Sequence, residues 1–214
     1  MKNIIDLEKQ MMKDVFVEKA WTIIRTNLGG KVLDVGCGPG QITYKHTDSI
    51  RMDIQRTDAP SPFLIADACK MPFENNSFDT VLMSHVLEHF ASSDDVLKEC
   101  RRVLKPSGKI IIAVPNVDTF SARMFGERYG YVFNKKEHLQ YFDSVKLNED
   151  ISKYFHVDEL LGTTPTFPCV DGLMSHGVLR KLWWVLGDLN NLHDRDLIAI
   201  ASSQIKHPAK AEGV

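Results

Sequence analysis

Lys31-Val32-Leu33-Asp34-Val35-Gly36-Cys37-Gly38-Pro39-Gly40 is a short apolar, β-branched run closed by alternating glycines. The run suits a buried strand. Glycines directly after a strand suit a tight turn whose backbone approaches a ligand closely, because a residue without Cβ adopts positive φ freely and leaves its amide uncovered. Gln41-Ile42-Thr43-Tyr44 follows and is expected to open a short helix. Strand, glycine turn and helix make the first part of a nucleotide-binding α/β unit. A plain strand-to-helix turn would show the same glycines, so the weight falls on the flanking sequence. The dinucleotide fingerprint G-x-G-x-x-G asks for glycine at position 41, where Gln41 stands, and this counts against a nicotinamide or flavin cofactor.

Before the turn, Leu7, Met11, Val15, Phe16, Ala20, Ile23 and Ile24 recur at helical spacing until Gly29-Gly30 ends the pattern, which predicts one amphipathic helix over about 6–28. After it, apolar runs at Ser49–Ile54, Phe63–Ala66, Phe78–Ser84 and Lys109–Pro115 are separated by Pro60, Pro62, Asn75-Asn76 and Pro106-Ser107-Gly108. Their near-continuous hydrophobicity predicts strands covered on both faces. Ser92–Leu104 reads as a crossover helix, with Ser and Asp at its start and Lys105-Pro106 behind it. Strands alternating with helices imply a doubly wound α/β domain with a mostly parallel sheet. Only Gln55–Pro62 separates the second and third runs, less than the roughly ten residues a helical crossover needs, so that connection is expected to be a tight irregular loop.

Beyond Pro115 the stretch 116–143 is rich in aromatic and charged residues and reads as a lid over the carboxyl edge of the sheet. Ser144–Phe155 looks helical and Val157–Thr163 extended. A second excursion, 164–193, carries Trp183-Trp184, whose simplest reading is packing of an added helix, before Asp196–Ser203 supplies a last strand. The expected organisation is a single domain over 1–205 with a loose tail at 206–214.

Two acids complete the pattern. Asp53 ends the second strand seventeen residues after Gly36, close to the spacing of about twenty at which a carboxylate takes two hydrogen bonds from a ribose diol. Asp67 ends the third strand, where it would accept the exocyclic amine of adenine. Turn and acids then converge on one crevice at the carboxyl edge, where open α/β sheets bind ligands.

Composition narrows the function classes. The chain has 214 residues, 43% hydrophobic and 25% charged, with a formal net charge of −2. That is an ordinary globular composition with no overall basic field, so nucleic acid is not expected as a partner. Cys37, Cys69, Cys100 and Cys169 stand far apart and lack zinc-finger spacing. Charges interrupt the N-terminal stretch and no run approaches a membrane span, so no membrane insertion is expected and the cytoplasm is the expected compartment.

The order Val32-Leu33-Asp34-Val35-Gly36-Cys37-Gly38-Pro39-Gly40, then Asp53, then Asp67-Ala68 ahead of Met71-Pro72-Phe73, then Ser77-Phe78-Asp79-Thr80-Val81, then Arg102-Val103-Leu104-Lys105-Pro106-Ser107-Gly108-Lys109, resembles the class I S-adenosylmethionine-dependent methyltransferases. Glu137-His138-Leu139-Gln140-Tyr141-Phe142-Asp143 also resembles a segment after the fifth strand of many small-molecule members. The resemblance implies a Rossmann-like seven-stranded sheet in the order 3-2-1-4-5-7-6, with the last strand antiparallel. It implies S-adenosylmethionine as cofactor and S-adenosylhomocysteine as product. Carried over residue by residue, Gly36, Cys37, Gly38 and Gly40 would pass beneath the methionyl part, with Asp34 orienting its ammonium group. Asp53, with Ile54 beside it, would take the ribose, Asp67 and Ala68 the adenine, and Ser84-His85 would lie beside the sulfonium.

The acceptor is expected to be a small molecule, with O-methylation ahead of N- or C-methylation. Candidate bases are His138, which is preferred, then His85, Glu88 and His89. Some quinone-pathway O-methyltransferases carry an acid where this chain has His85 and bind a cation there, so no hard metal is expected. A non-catalytic cofactor-binding or partner subunit is the alternative reading.

Overall fold

The structure is a computed structural model that describes residues 19–119, 136–163 and 196–203. Seven strands, β1 (Val32–Val35), β2 (Ser49–Asp53), β3 (Phe63–Ile65), β4 (Phe78–Ser84), β5 (Leu104–Pro115), β6 (His156–Gly162) and β7 (Asp196–Ser202), form one sheet in the order β3-β2-β1-β4-β5-β7-β6. The first five pair in parallel, and β7 runs antiparallel to both β5 and β6. This is the expected Rossmann-like sheet. Among the described residues three α-helices accompany it: α1 over 19–27, α2 (Asp94–Val103) and α3 (Ser144–Ser152). The expectations for 1–18, most of the lid at 120–135, the second excursion with Trp183-Trp184 and the tail lie outside the described residues.

Period-two alternation sorts the central strands between two apolar layers. Val81 and Met83 of β4, Ile110 and Ile112 of β5, and Leu197 and Ala199 of β7 pack with Leu97 and Cys100 of α2 and Leu147 and Ile151 of α3. Leu82, Ile111, Ala113, Ile198 and Ile200 face the other way, onto Ala20 and Ile24 of α1. Each helix is locally specified. Asp143 caps α3 by accepting from the Lys146 N–H at 2.8 Å, and α2 carries Asp94-Asp95 in its first turn and Arg101-Arg102 in its last, matching the helix dipole.

Three expectations need correction. Residues 41–45 form turns, not a helix. With no helix there, the face of β1 and β2 under this segment is held by polar contacts. Asp34 and Arg51 are register partners on that face, and both are buried. Arg51 donates to the Thr43 carbonyl, supplying the donor that helical pairing would have given, and Thr43 donates its hydroxyl to Asp34 at 2.7 Å. Second, β3 is not covered on both faces. Leu64 and Ile65 are exposed, because the loop between β2 and β3 is irregular, as its length predicts, and lays no helix over the edge. Third, β5 begins at Leu104 rather than Lys109: Leu104 pairs with Phe78, and the register shifts before Lys109 pairs with Thr80.

Candidate functional site

At the carboxyl ends of β1, β2, β3 and β4 lies a cavity of about 410 Å³, a volume suited to a cofactor-sized ligand. Gly36, Asp53, Ile54, Asp67, Ala68 and His85 all line it, which brings together six of the residues expected from sequence. Gly36 has φ +63°, and a Cβ there would lie 2.4 Å from Val86 Cγ2, so only glycine keeps the turn and the cavity wall in place. Gly40, at φ +72°, is equally closed to a side chain, since its Cβ would meet Arg51 Cδ at 2.9 Å and Pro60 Cδ at 3.0 Å.

Asp53 closes the turn as well as facing the cavity. Its Oδ2 accepts from the Gly38 N–H at 3.0 Å and its Oδ1 from the Gln55 N–H at 3.3 Å. The Cys37 N–H donates to the Met52 carbonyl at 3.0 Å, so the turn is sewn to β2 from both sides. Asp67 accepts from the Cys69 N–H at 2.8 Å, which fixes one oxygen of its carboxylate at the end of β3. Each acid keeps lone pairs for a ligand.

The other expected residues stand around the cavity rather than on its wall. Asp34 lies beneath the turn, bonded to Thr43, and burial pushes its carboxyl up to about 6 against the opposing pull of Thr43 and Arg51. Cys37, Gly38 and Gly40 form the turn itself. Burial, then the charges of Asp34 and Asp53, push the Cys37 thiol up to about 12, so it is no thiolate nucleophile. Ser84 is half-buried at the end of β4.

The last wall is the segment after β4. His85 holds φ +56°, rare for a residue with a side chain, and its N–H donates to the Ala113 carbonyl at 2.8 Å. Its Nδ1 is 3.4 Å from Glu88 Oε1 and its Nε2 is 4.0 Å from Asp196 Oδ1, so two carboxylates flank the imidazole. His138, the base preferred from sequence, does not line the cavity; its ring stands edge-on to His89 with centroids 5.3 Å apart. Val86, His89, Phe90, Gln55 and Ala66 also line the cavity, though sequence reasoning did not assign them to the cofactor. The residues 86 to 90 reach it through a single 3₁₀ turn, Leu87–His89, a short local bend with no periodic signal.

Residues 33–112 match the family described as Methyltransferase domain. Ubiquinone/menaquinone biosynthesis C-methyltransferases of Burkholderia mallei and Burkholderia thailandensis are 35% identical over 115 residues, covering 44% of this chain and 47% of theirs. Over residues 33–112 the chain is similar to S-adenosylmethionine-dependent methyltransferases.

Solved methyltransferase structures share the fold over most of the chain. A Thermotoga maritima S-adenosylmethionine-dependent methyltransferase aligns with TM-score 0.65 and 15% identity over 88% of this chain and 89% of its own. A Haloferax volcanii methyltransferase, solved in complex with the Trm112 methyltransferase activator, aligns with TM-score 0.64 and 17% identity over 93% and 94%. The chain spans about half the length of the Burkholderia methyltransferases. S-adenosylmethionine is the cofactor of this methyltransferase family, and the cavity fits it: a glycine cradle that a Cβ would fill and two strand-end carboxylates share one hollow. Among the described residues no helix is long and apolar enough to cross a membrane.

Proposed function

We propose that the protein uses S-adenosylmethionine to methylate a small-molecule acceptor, with oxygen as the accepting atom and His85 as the base. The observation that carries this reading is the convergence of Gly36, Asp53, Asp67 and His85 on one cavity. The first three suit an adenosine and its chain, while the imidazole is left for the acceptor. Bound cofactor supplies an electrophilic methyl, so the chain's work is alignment and exclusion of water. In the transfer the acceptor oxygen would attack the methyl carbon as the C–S electron pair passes to sulfur, giving S-adenosylhomocysteine, and His85 would take the hydroxyl proton. Glu88 and Asp196 favour the imidazolium that results. The near-neutral charge supports a small molecule over a nucleic acid. In this reading the chain works as a single methyltransferase domain.

The names of the Burkholderia relatives support a second reading in which the accepting atom is carbon. The same imidazole serves there by taking a phenol proton and enriching the ring. Incubation with methyl-labelled cofactor and panels of phenols, quinols and hydroxy acids decides between them, because product NMR separates an O-methyl from a C-methyl group. His85→Ala is expected to lower kcat by roughly 10²–10⁴-fold with cofactor affinity nearly retained. Tight cofactor binding with no transfer to any panel member would replace both readings with a non-catalytic subunit.

A further inference from the structure

Glu88 is buried to 1% exposure, yet neither of its carboxylate oxygens has a hydrogen-bond partner. The nearest imidazole, His85, approaches Oε1 only to 3.4 Å, beyond a good hydrogen bond. A buried carboxylate that accepts no hydrogen bond is costly and calls for a cation. Beside it, ligand atoms of Glu88, His89 and His138 all lie within 4.8 Å of one another. The three come from two segments that are sewn together, since the Leu139 and Gln140 N–H groups donate to the Glu88 carbonyl at 2.8 and 3.1 Å. His89 is also oriented. Its Nδ1 lies 2.9 Å from the Glu137 carbonyl oxygen, which can only accept, so the proton sits on Nδ1 and the Nε2 lone pair is left over. An imidazole fixed through one nitrogen by a carbonyl is the usual second shell of a metal-bound histidine.

We propose that Glu88, His89 and His138 form a binding site for a divalent first-row transition-metal ion, of the zinc and cobalt class, at the rim of the cofactor cavity. Two imidazoles and one carboxylate are a borderline donor set, which favours such ions over magnesium or calcium with their preference for oxygen. Zinc–ligand bonds of about 2.0–2.1 Å put tetrahedral ligand atoms about 3.3 Å apart, so side-chain rotations of at most about 1.5 Å close the group. Three protein ligands leave a coordination position for water or an acceptor atom, and His89 already lines the cavity. His138, distant in sequence, completes the group.

The test is a titration of the metal-stripped full chain with cobalt(II), read from the visible ligand-field bands, followed by displacement with zinc. One equivalent is expected to bind saturably, with bands of four- or five-coordinate intensity that zinc abolishes. His138→Ala and Glu88→Gln should each lower cobalt affinity at least about ten-fold, as losing a direct ligand exceeds the effect of losing an outer one. His138 is half-buried on a surface segment, so its variant decides the matter if Glu88→Gln does not fold, with unchanged thermal unfolding of the metal-free chain as the control. No saturable binding, binding equally tight in the His138→Ala variant, or uptake of magnesium in preference to cobalt and zinc would each overturn the proposal.

Discussion

A methyl group at position 36 would lie 2.4 Å from Val86 Cγ2, on a backbone held at φ +63°. Gly36→Ala therefore meets a left-handed penalty of roughly 1–2 kcal/mol and a packing penalty of roughly 1–3 kcal/mol. Denaturant unfolding should show a loss of about 2–5 kcal/mol. Val86→Ala introduced with it should restore the packing part and leave the backbone part, so the pair should be coupled by about 1 kcal/mol or more. Strict additivity would mean that Val86 gives way freely. Asp53 acts differently, through hydrogen bonds to the turn and to the ligand. Asp53→Ala is expected to weaken S-adenosylhomocysteine binding by about 1.5–3 kcal/mol, roughly ten- to a hundred-fold by calorimetry, and unchanged affinity would remove it from the site.

Asp34 yields a pH signature. Burial raises its carboxyl to about 6 in the folded chain from 3.8, so between those values the folded chain holds a proton that the unfolded chain has lost. Its stabilising contribution is complete below the unfolded value and is lost as pH rises through about 6. Asp34→Asn removes the titration. The stability advantage of the native chain over that variant should therefore fall by something on the order of 3 kcal/mol between about pH 4 and about pH 8, as read from denaturant melts. Parallel pH profiles would show that the carboxyl titrates normally.

At the scale of elements, the strands were legible because apolar runs bounded by Gly, Pro and Asn mark buried parallel strands. The strand-end acids were legible with them, since Asp53 and Asp67 close their runs. What sequence missed is non-local. Nothing in Gln41-Ile42-Thr43-Tyr44 tells that Arg51, on the next strand, will hold its carbonyl and remove the need for a helix. Nor does any local pattern tell that residues 137–140 will dock on Glu88 and bring His138 beside His89. The loop 71–75, which follows Asp67, depends on α2 in the same non-local way. Arg102 donates to the Met71 and Phe73 carbonyls at 2.9 and 2.7 Å and to both oxygens of Glu99. The Arg102 guanidinium, bonded to Glu99, holds the Glu99 carboxyl below its usual range. Because the two carbonyls and the carboxylate need a planar fork, Arg102→Lys should destabilise the chain by about 1–3 kcal/mol, nearly as much as Arg102→Ala. A lysine variant as stable as the native chain would show that the charge alone matters.

At the scale of the molecule, the sheet has a finished half and an unfinished one. Among the described residues, helices pack on both faces of β4, β5 and β7, whereas β1 to β3 rely on turns, on the buried Asp34, Thr43 and Arg51 group, and on an edge strand with exposed leucine and isoleucine. The cofactor cavity is built on that thinner half, so ligand contacts there add to a region with little packing of its own. A ligand that binds only the folded chain stabilises it by RT ln(1 + [L]/Kd), about 2.7 kcal/mol at a hundred-fold excess over Kd. For a chain of this size that corresponds to a rise in Tm of roughly 5–10 °C with S-adenosylhomocysteine. Hydrogen exchange should show the added protection first at the ends of β1, β2 and β3, and much less at β6 and β7. NADH at the same concentration should leave Tm unchanged, since Gln41 stands in place of the third glycine of a dinucleotide turn. A shift with NADH equal to that with S-adenosylhomocysteine, or protection centred on β6 and β7, would place the nucleotide somewhere other than between Asp53 and Asp67.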